Sequence, residues 1–125
     1  MREAVIAKEV AEQMVADWAD FLDVEAPPAG HIIRAICSGR LDCDGGLFRY
    51  RFISPLTLAN GQTLAEITIR EPTGRQLRET SRGNRDEMDT TLRLIESLSG
   101  QPLGVIESIG MRDLTVLGEL LGFFA

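Results

Sequence analysis

Apolar residues recur at helical spacing along the first part of the chain. At roughly 100° per residue, Ile6, Val10, Met14, Trp18, Phe21 and Leu22 fall on one half of a wheel drawn over residues 3–23. Ala7, Ala11 and Val15 fill the same half, and Glu9, Glu12, Gln13, Asp20 and Asp23 lie opposite. That pattern predicts an amphipathic helix laid on a core or on a partner. Pro27-Pro28 then breaks the chain. A short second helix is expected over 29–38, with Ile32, Ile33 and Ile36 as its apolar residues and Gly39 as its stop. Asp42, Asp44, Gly45 and Gly46 are turn formers, so residues 41–46 read as a loop.

The period then changes from helix to strand. Phe48, Tyr50 and Phe52 alternate with Arg49 and Arg51, which predicts a strand over 47–53. Ser54-Pro55 interrupts it and residues 56–58 continue it. Asn60-Gly61 is a turn dipeptide, and Ile67 and Ile69 alternate with Thr68 and Arg70 in a returning strand over 64–70. The two strands predict an antiparallel β-hairpin, which is marginal alone and must pack on helices or pair with another strand. Pro72 ends the second strand, and Thr73 followed by Gln76 is a capping-box pair that starts a helix over 73–80 at once. After a break at 81–84, Asn84 with Glu87 reads as the N-cap pair of a helix over 85–99, with Met88, Leu92, Ile95 and Leu98 on one face and Gly100 as its end. A turn or two at 103–108 leads into a last helix over 111–124, which buries Leu114, Leu117, Leu120, Leu121 and Phe124. Gly118 and Gly122, one turn apart, lower helix propensity there and permit close approach of another element. With Phe123 and Phe124 they make a loosely held C-terminus the expectation. The fold class is therefore α+β, mostly helical with one antiparallel β-hairpin. The division falls between a helical segment, 1–46, whose role the sequence does not disclose, and a hairpin-plus-helices unit, 47–125.

Composition narrows the function more than it defines it. The 125 residues suffice for one domain with a real core. A net charge of −6 disfavours nucleic acid and anionic membranes as partners. The cluster Arg70, Arg75, Arg78, Arg82 and Arg85 is a local exception, read as a solvated face or a contact for acidic protein. No stretch approaches the roughly 18 apolar residues of a membrane span, and the start of the chain lacks the apolar core of a signal peptide. Cys37 and Cys43 give no disulfide framework, so a cytoplasmic protein with reduced thiols is expected. His31, Cys37 and Cys43 lack the spacing of a zinc site, and Asp42-Cys43-Asp44-Gly45-Gly46 lacks the closing Glu of a calcium loop. No nucleophile elbow, phosphate loop or paired base accompanies the single histidine, so neither enzyme activity, a cofactor nor a metal is expected.

One set of residues carries a more specific signal. Pro55-Leu56-Thr57-Leu58, Asn60-Gly61 and the run from Glu66 through Pro72 to Gly74 are followed by Leu92-x-x-Ile95, Leu98 and Gly100. The set ends with Ile109-x-x-x-Asp113-Leu114 and Gly122-Phe123. Over about 54–124 the chain resembles the tail assembly chaperone family of Mu-like and P2-like phages and prophages. The resemblance implies a non-enzymatic role in the bacterial host cytoplasm. It implies binding to the phage tape-measure protein, whose long apolar helices are kept soluble, and help in recruiting tail tube protein. Two other readings stand beside it: a small regulatory or nucleic-acid-binding module that uses the arginines, and a structural component retained in the tail. The free edge of the hairpin and the amphipathic helix at each end point to protein binding and to a homodimer. The residues expected to carry protein binding are Arg70, Arg75, Leu117, Leu121 and Phe124.

Overall fold

The computed structural model of the protein describes residues 6–26, 29–80 and 86–124. Helices α1 (Lys8–Leu22) and α2 (Gly30–Cys37) precede three strands, β1 (Leu41–Asp44), β2 (Leu47–Thr57) and β3 (Thr63–Arg70). Helices α3 (Gly74–Thr80), α4 (Glu87–Ser99), α5 (Leu103–Glu107) and α6 (Met111–Leu120) follow, and a 3-10 turn over Leu121–Phe124 closes the chain. The strands form one antiparallel sheet in the order β1-β2-β3. The α+β class and the hairpin of β2 with β3 are as the sequence predicts.

Residues 41–46 are not a loop. Leu41 and Cys43 alternate with Asp42 and Asp44, and the strand they make pairs with β2 from Leu41 opposite Tyr50 to Asp44 opposite Leu47. Gly45 and Gly46 form the two-residue connection with φ of 61° and 84°. Two successive positive φ values give a turn whose twist matches the flanking strands, and glycine adopts them without strain. β2 is therefore the middle strand, and the hairpin packs within a three-stranded sheet. Its buried row, Phe48, Tyr50 and Phe52, continues sideways into Leu41, Ile67 and Ile69. On the other face Asp42 lies opposite Arg49, and Arg51 opposite Glu66, all four exposed.

α1 forms, but its buried stripe is rotated from the expected one. Ala11, Val15, Trp18 and Ala19 are buried, whereas Val10 is 52% and Phe21 67% exposed. α1 packs against α2, and the two small residues Ala11 and Ala19 are part of its buried stripe. Phe21 instead lies over the Gly45-Gly46 turn, at 3.5 Å from where a Cβ on Gly46 would stand. Residues 3–5 of the expected helix, the Pro27-Pro28 break and the break at 81–84 with Asn84 lie outside the described residues. α4 is capped by Asp86, which accepts a 2.7 Å bond from the Asp89 amide, rather than by an Asn84–Glu87 pair. Met88 is not on its buried face: it is 49% exposed, while Ile95 and Leu98 are buried. The capping box of α3 is present in both directions, Thr73 N–H to Gln76 Oε1 at 2.9 Å and Gln76 N–H to Thr73 Oγ1 at 3.2 Å.

The end of the chain is held tightly. Phe123 is fully buried and packs 5.3 Å from Phe48, with Trp18 edge-on to both at 5.5 and 6.3 Å. One aromatic cluster thus joins α1, the sheet and the closing turn. Each such pair adds on the order of 1 kcal/mol beyond the area it buries.

The other junction is polar. The pairing of β2 with β3 shifts between Arg51 and Leu56, where Ser54-Pro55 disrupts the ladder. The Ile53 and Ser54 amides donate instead to Asp113, at 2.7 and 3.1 Å, and the Tyr50 hydroxyl donates to the same carboxylate at 2.6 Å. Asp113 is fully buried and sits in the first turn of α6, where the helix dipole favours a negative charge. A second carboxylate of α6, Glu119, accepts from the His31 and Ile32 amides at 2.8 and 3.0 Å. It caps α2 from across the fold, since Ala29 has no side chain able to do so.

Asp113→Ala should lower stability by about 3 kcal/mol or more, because a buried hydroxyl and two amides lose their acceptor. Tyr50→Phe, which removes one donor, should cost about 1–2 kcal/mol; urea denaturation measures both. Trp18→Ala should cost about 3–5 kcal/mol in the same assay. Burial, reinforced by the bond to Asp113, pushes the Tyr50 phenol well above its usual value of 10.0. The unfolded chain releases this proton first, so the associated stability is complete below about pH 10 and falls as pH rises further. Ultraviolet titration of this single tyrosine should show phenolate only as the protein unfolds.

Candidate functional site

Catalytic chemistry finds little support in the side chains. His31 Nδ1 is engaged by Glu119 Oε2 at 3.0 Å. The nearby Ser38 hydroxyl donates to the Arg34 and Ala35 carbonyls instead of to the imidazole. Burial pushes the Cys43 thiol above its ordinary value, away from a reactive thiolate, and Asp42 and Asp44 add to the shift. Among the described residues no group of three or more His, Cys, Asp or Glu is placed to hold a metal ion.

A groove between α4 and α6 is the more informative surface. Two adjoining hollows of about 360 and 270 Å³ share Thr91 and Gly118. Met88 and Met111 stand at one end, Leu114 along the wall, and Leu94, Leu121 and Phe124 at the other end. Met111 is 69% exposed and, with Met88, is among the large apolar side chains left most open to solvent. Gly118 keeps the middle of the groove clear, since a Cβ there would meet nothing within 4 Å. From Met111 to Leu121 the groove follows α6 for roughly 15 Å, about three helical turns. Methionine is flexible and polarisable, which suits a surface that accepts varied apolar side chains. A larger hollow of about 620 Å³ lies between the end of the hairpin and α5, lined by Leu56, Leu58 and Val105. Those three side chains are half-buried, so it offers no large exposed apolar group.

The five residues singled out in the sequence do not form one site. Arg70 and Arg75 are exposed at the end of β3 and the start of α3. Leu117 is 1% exposed and belongs to the core. Leu121, at 9%, and the half-buried Phe124 reach the groove wall. Sequence patterning missed Met88 and Met111 as surface residues, because apolar periodicity does not distinguish a side chain on a core from one on an open groove. The Gly118–Gly122 spacing was the signal that pointed here.

Comparison with known proteins adds the decisive finding. A family model described as phage tail assembly chaperone proteins, E, or 41 or 14, matches residues 50–125. No curated protein and no solved structure gives a significant match. The matched segment holds both walls of the α4–α6 groove and the Asp113 junction. With more than half of its length matched, the chain belongs to this family of phage tail assembly chaperone proteins.

Proposed function

We propose that this protein binds apolar helical segments of the phage tape-measure protein in the groove between α4 and α6, holding them soluble until the tail tube assembles around them. The observation that carries the reading is the open, methionine-flanked groove within the family-matched segment. Its length suits about three turns of an amphipathic helix, the usual occupant of such a groove. The role is non-enzymatic and belongs in the host cytoplasm, where tail components are made. Recruitment of the tail tube protein is a second task of the same protein, and a homodimer would present two grooves to one long client. Arg70 and Arg75, exposed beyond the groove, serve as peripheral contacts for acidic client residues.

Co-expression with the tape-measure protein tests this. The soluble fraction of the client should rise when this chain is present. Gly118→Phe fills the groove without a clash at Cβ and should abolish the rise while leaving the chain folded. Gly118→Ala should preserve binding and add about 1 kcal/mol of stability through helix propensity. Arg70→Glu and Arg75→Glu should weaken binding only modestly, since exposed ion pairs contribute about 1 kcal/mol at most. Equal solubility of the client with and without this chain would end the chaperone reading. Normal binding by Gly118→Phe would move the client off this groove.

A further inference from the structure

This acidic protein carries a concentrated basic cleft. Between α2 and α6 lies a hollow of about 290 Å³ whose rim holds Arg34, Arg40 and Arg112 together with His31. Its floor is Ala35, Val116 and the Tyr50 ring, all buried. The three guanidinium groups come from three different places: α2, the connection into β1, and the first turn of α6.

None of these arginines makes an ion pair with a carboxylate of the described residues. Arg34 donates to the Gly30 carbonyl at 3.4 Å, Arg40 to the Ser38 hydroxyl at 2.9 Å, and Arg112 to the Ser54 hydroxyl at 3.5 Å. Two carboxylates of α6 stand beside the cleft residues, each hydrogen-bonded to groups other than these arginines. Asp113 accepts from Tyr50, Ile53 and Ser54 beneath the floor, and Glu119 from α2 and His31. Three like charges around one hollow repel one another, and a bound anion would relieve that repulsion.

We propose that this cleft is a receptor for a carboxylate side chain presented by an acidic, partly apolar segment of a partner protein. Guanidinium groups bind carboxylates in a paired, planar geometry, which three of them around one hollow can supply. The apolar floor accommodates the stem of a Glu or a neighbouring aliphatic side chain. The volume holds one or two side chains. That is too short a track for a nucleic-acid backbone, whose binding relies on many cations along a strand. The proposal stands on the arginine geometry alone and does not depend on what occupies the α4–α6 groove.

Fluorescence anisotropy with a short labelled peptide of Glu and Leu residues, ends blocked, tests it on the full chain. Saturable binding is expected, weakened about tenfold or more, roughly 1.4 kcal/mol, in the double variant Arg34→Ala/Arg112→Ala. Both residues are exposed, and an unchanged melting temperature will show that the variant folds. Arg75→Ala, distant in the chain and outside the cleft, should bind as the parent does. No binding of the peptide, or equal losses in the cleft variant and in Arg75→Ala, overturns the proposal. So does a single-stranded oligonucleotide that binds the cleft more tightly than the peptide, which would make the site one for phosphate.

Discussion

The fold turns on how strand β2 disposes of its broken middle. Ser54-Pro55 interrupts the pairing with β3, and the amides of Ile53 and Ser54 bond outside the sheet. A half-buried amide left without an acceptor lowers stability, so this stretch of the strand gains from one supplied by another element. Asp113 is that acceptor, and the Tyr50 hydroxyl completes its coordination. A fully buried carboxylate is itself tolerable only when its oxygens are hydrogen-bonded and its charge is met. Three donors and the positive end of α6 satisfy both conditions. The irregular strand and the buried acid are each unfavourable alone and stable together. Their pairing fixes the start of α6 against the sheet, and Glu119 then fixes α2 against α6.

Local chemistry was readable in the sequence wherever the partners lie close in the chain. Thr73 and Gln76, three residues apart, form the reciprocal cap that their spacing implies. Asn60-Gly61 marks the hairpin, and the alternation on either side of it gives the pairing of β2 with β3. β1 was missed although Leu41 to Asp44 also alternates, because its two aspartates and two following glycines weigh toward a turn; the glycines make the turn and the residues before them make the strand. The acids of α6 were beyond reach for a different reason. Asp113 bonds to residues about sixty positions earlier and Glu119 to residues nearly ninety earlier. A charged residue in an amphipathic helix reads as solvated until the fold shows what meets it. The same limit applies to the candidate site: Leu117 and Met111 lie on one helix and score alike by hydrophobicity, yet one is core and the other is open.

The family match begins at Tyr50, in the middle of β2, but the core does not. Phe123, in the matched segment, packs against Phe48 and Trp18, which precede it. Ile69 on β3 lies opposite Phe48, and β1 covers the far edge of β2. The residues before the match thus complete a hydrophobic cluster that the matched residues begin. Truncation to the matched segment alone would expose Phe123 and Tyr50, so the groove is best studied in the full chain.

The position of the two acids of α6 also shapes what the helix shows to a partner. Asp113 is turned into the sheet and Glu119 onto the end of α2, so both carboxylates serve the interior. What remains outward on one flank is Met111, Leu114 and Gly118, facing α4. On the adjoining flank Arg112 and Val116 face α2, with Thr115 on the ridge between them. A chain of net charge −6 therefore presents, along α6, an apolar strip beside a basic hollow, with Glu87 of α4 at the strip's far edge. The interior hydrogen bonds of α6 and the lack of acids on its outward face are consequences of the same placement of charge.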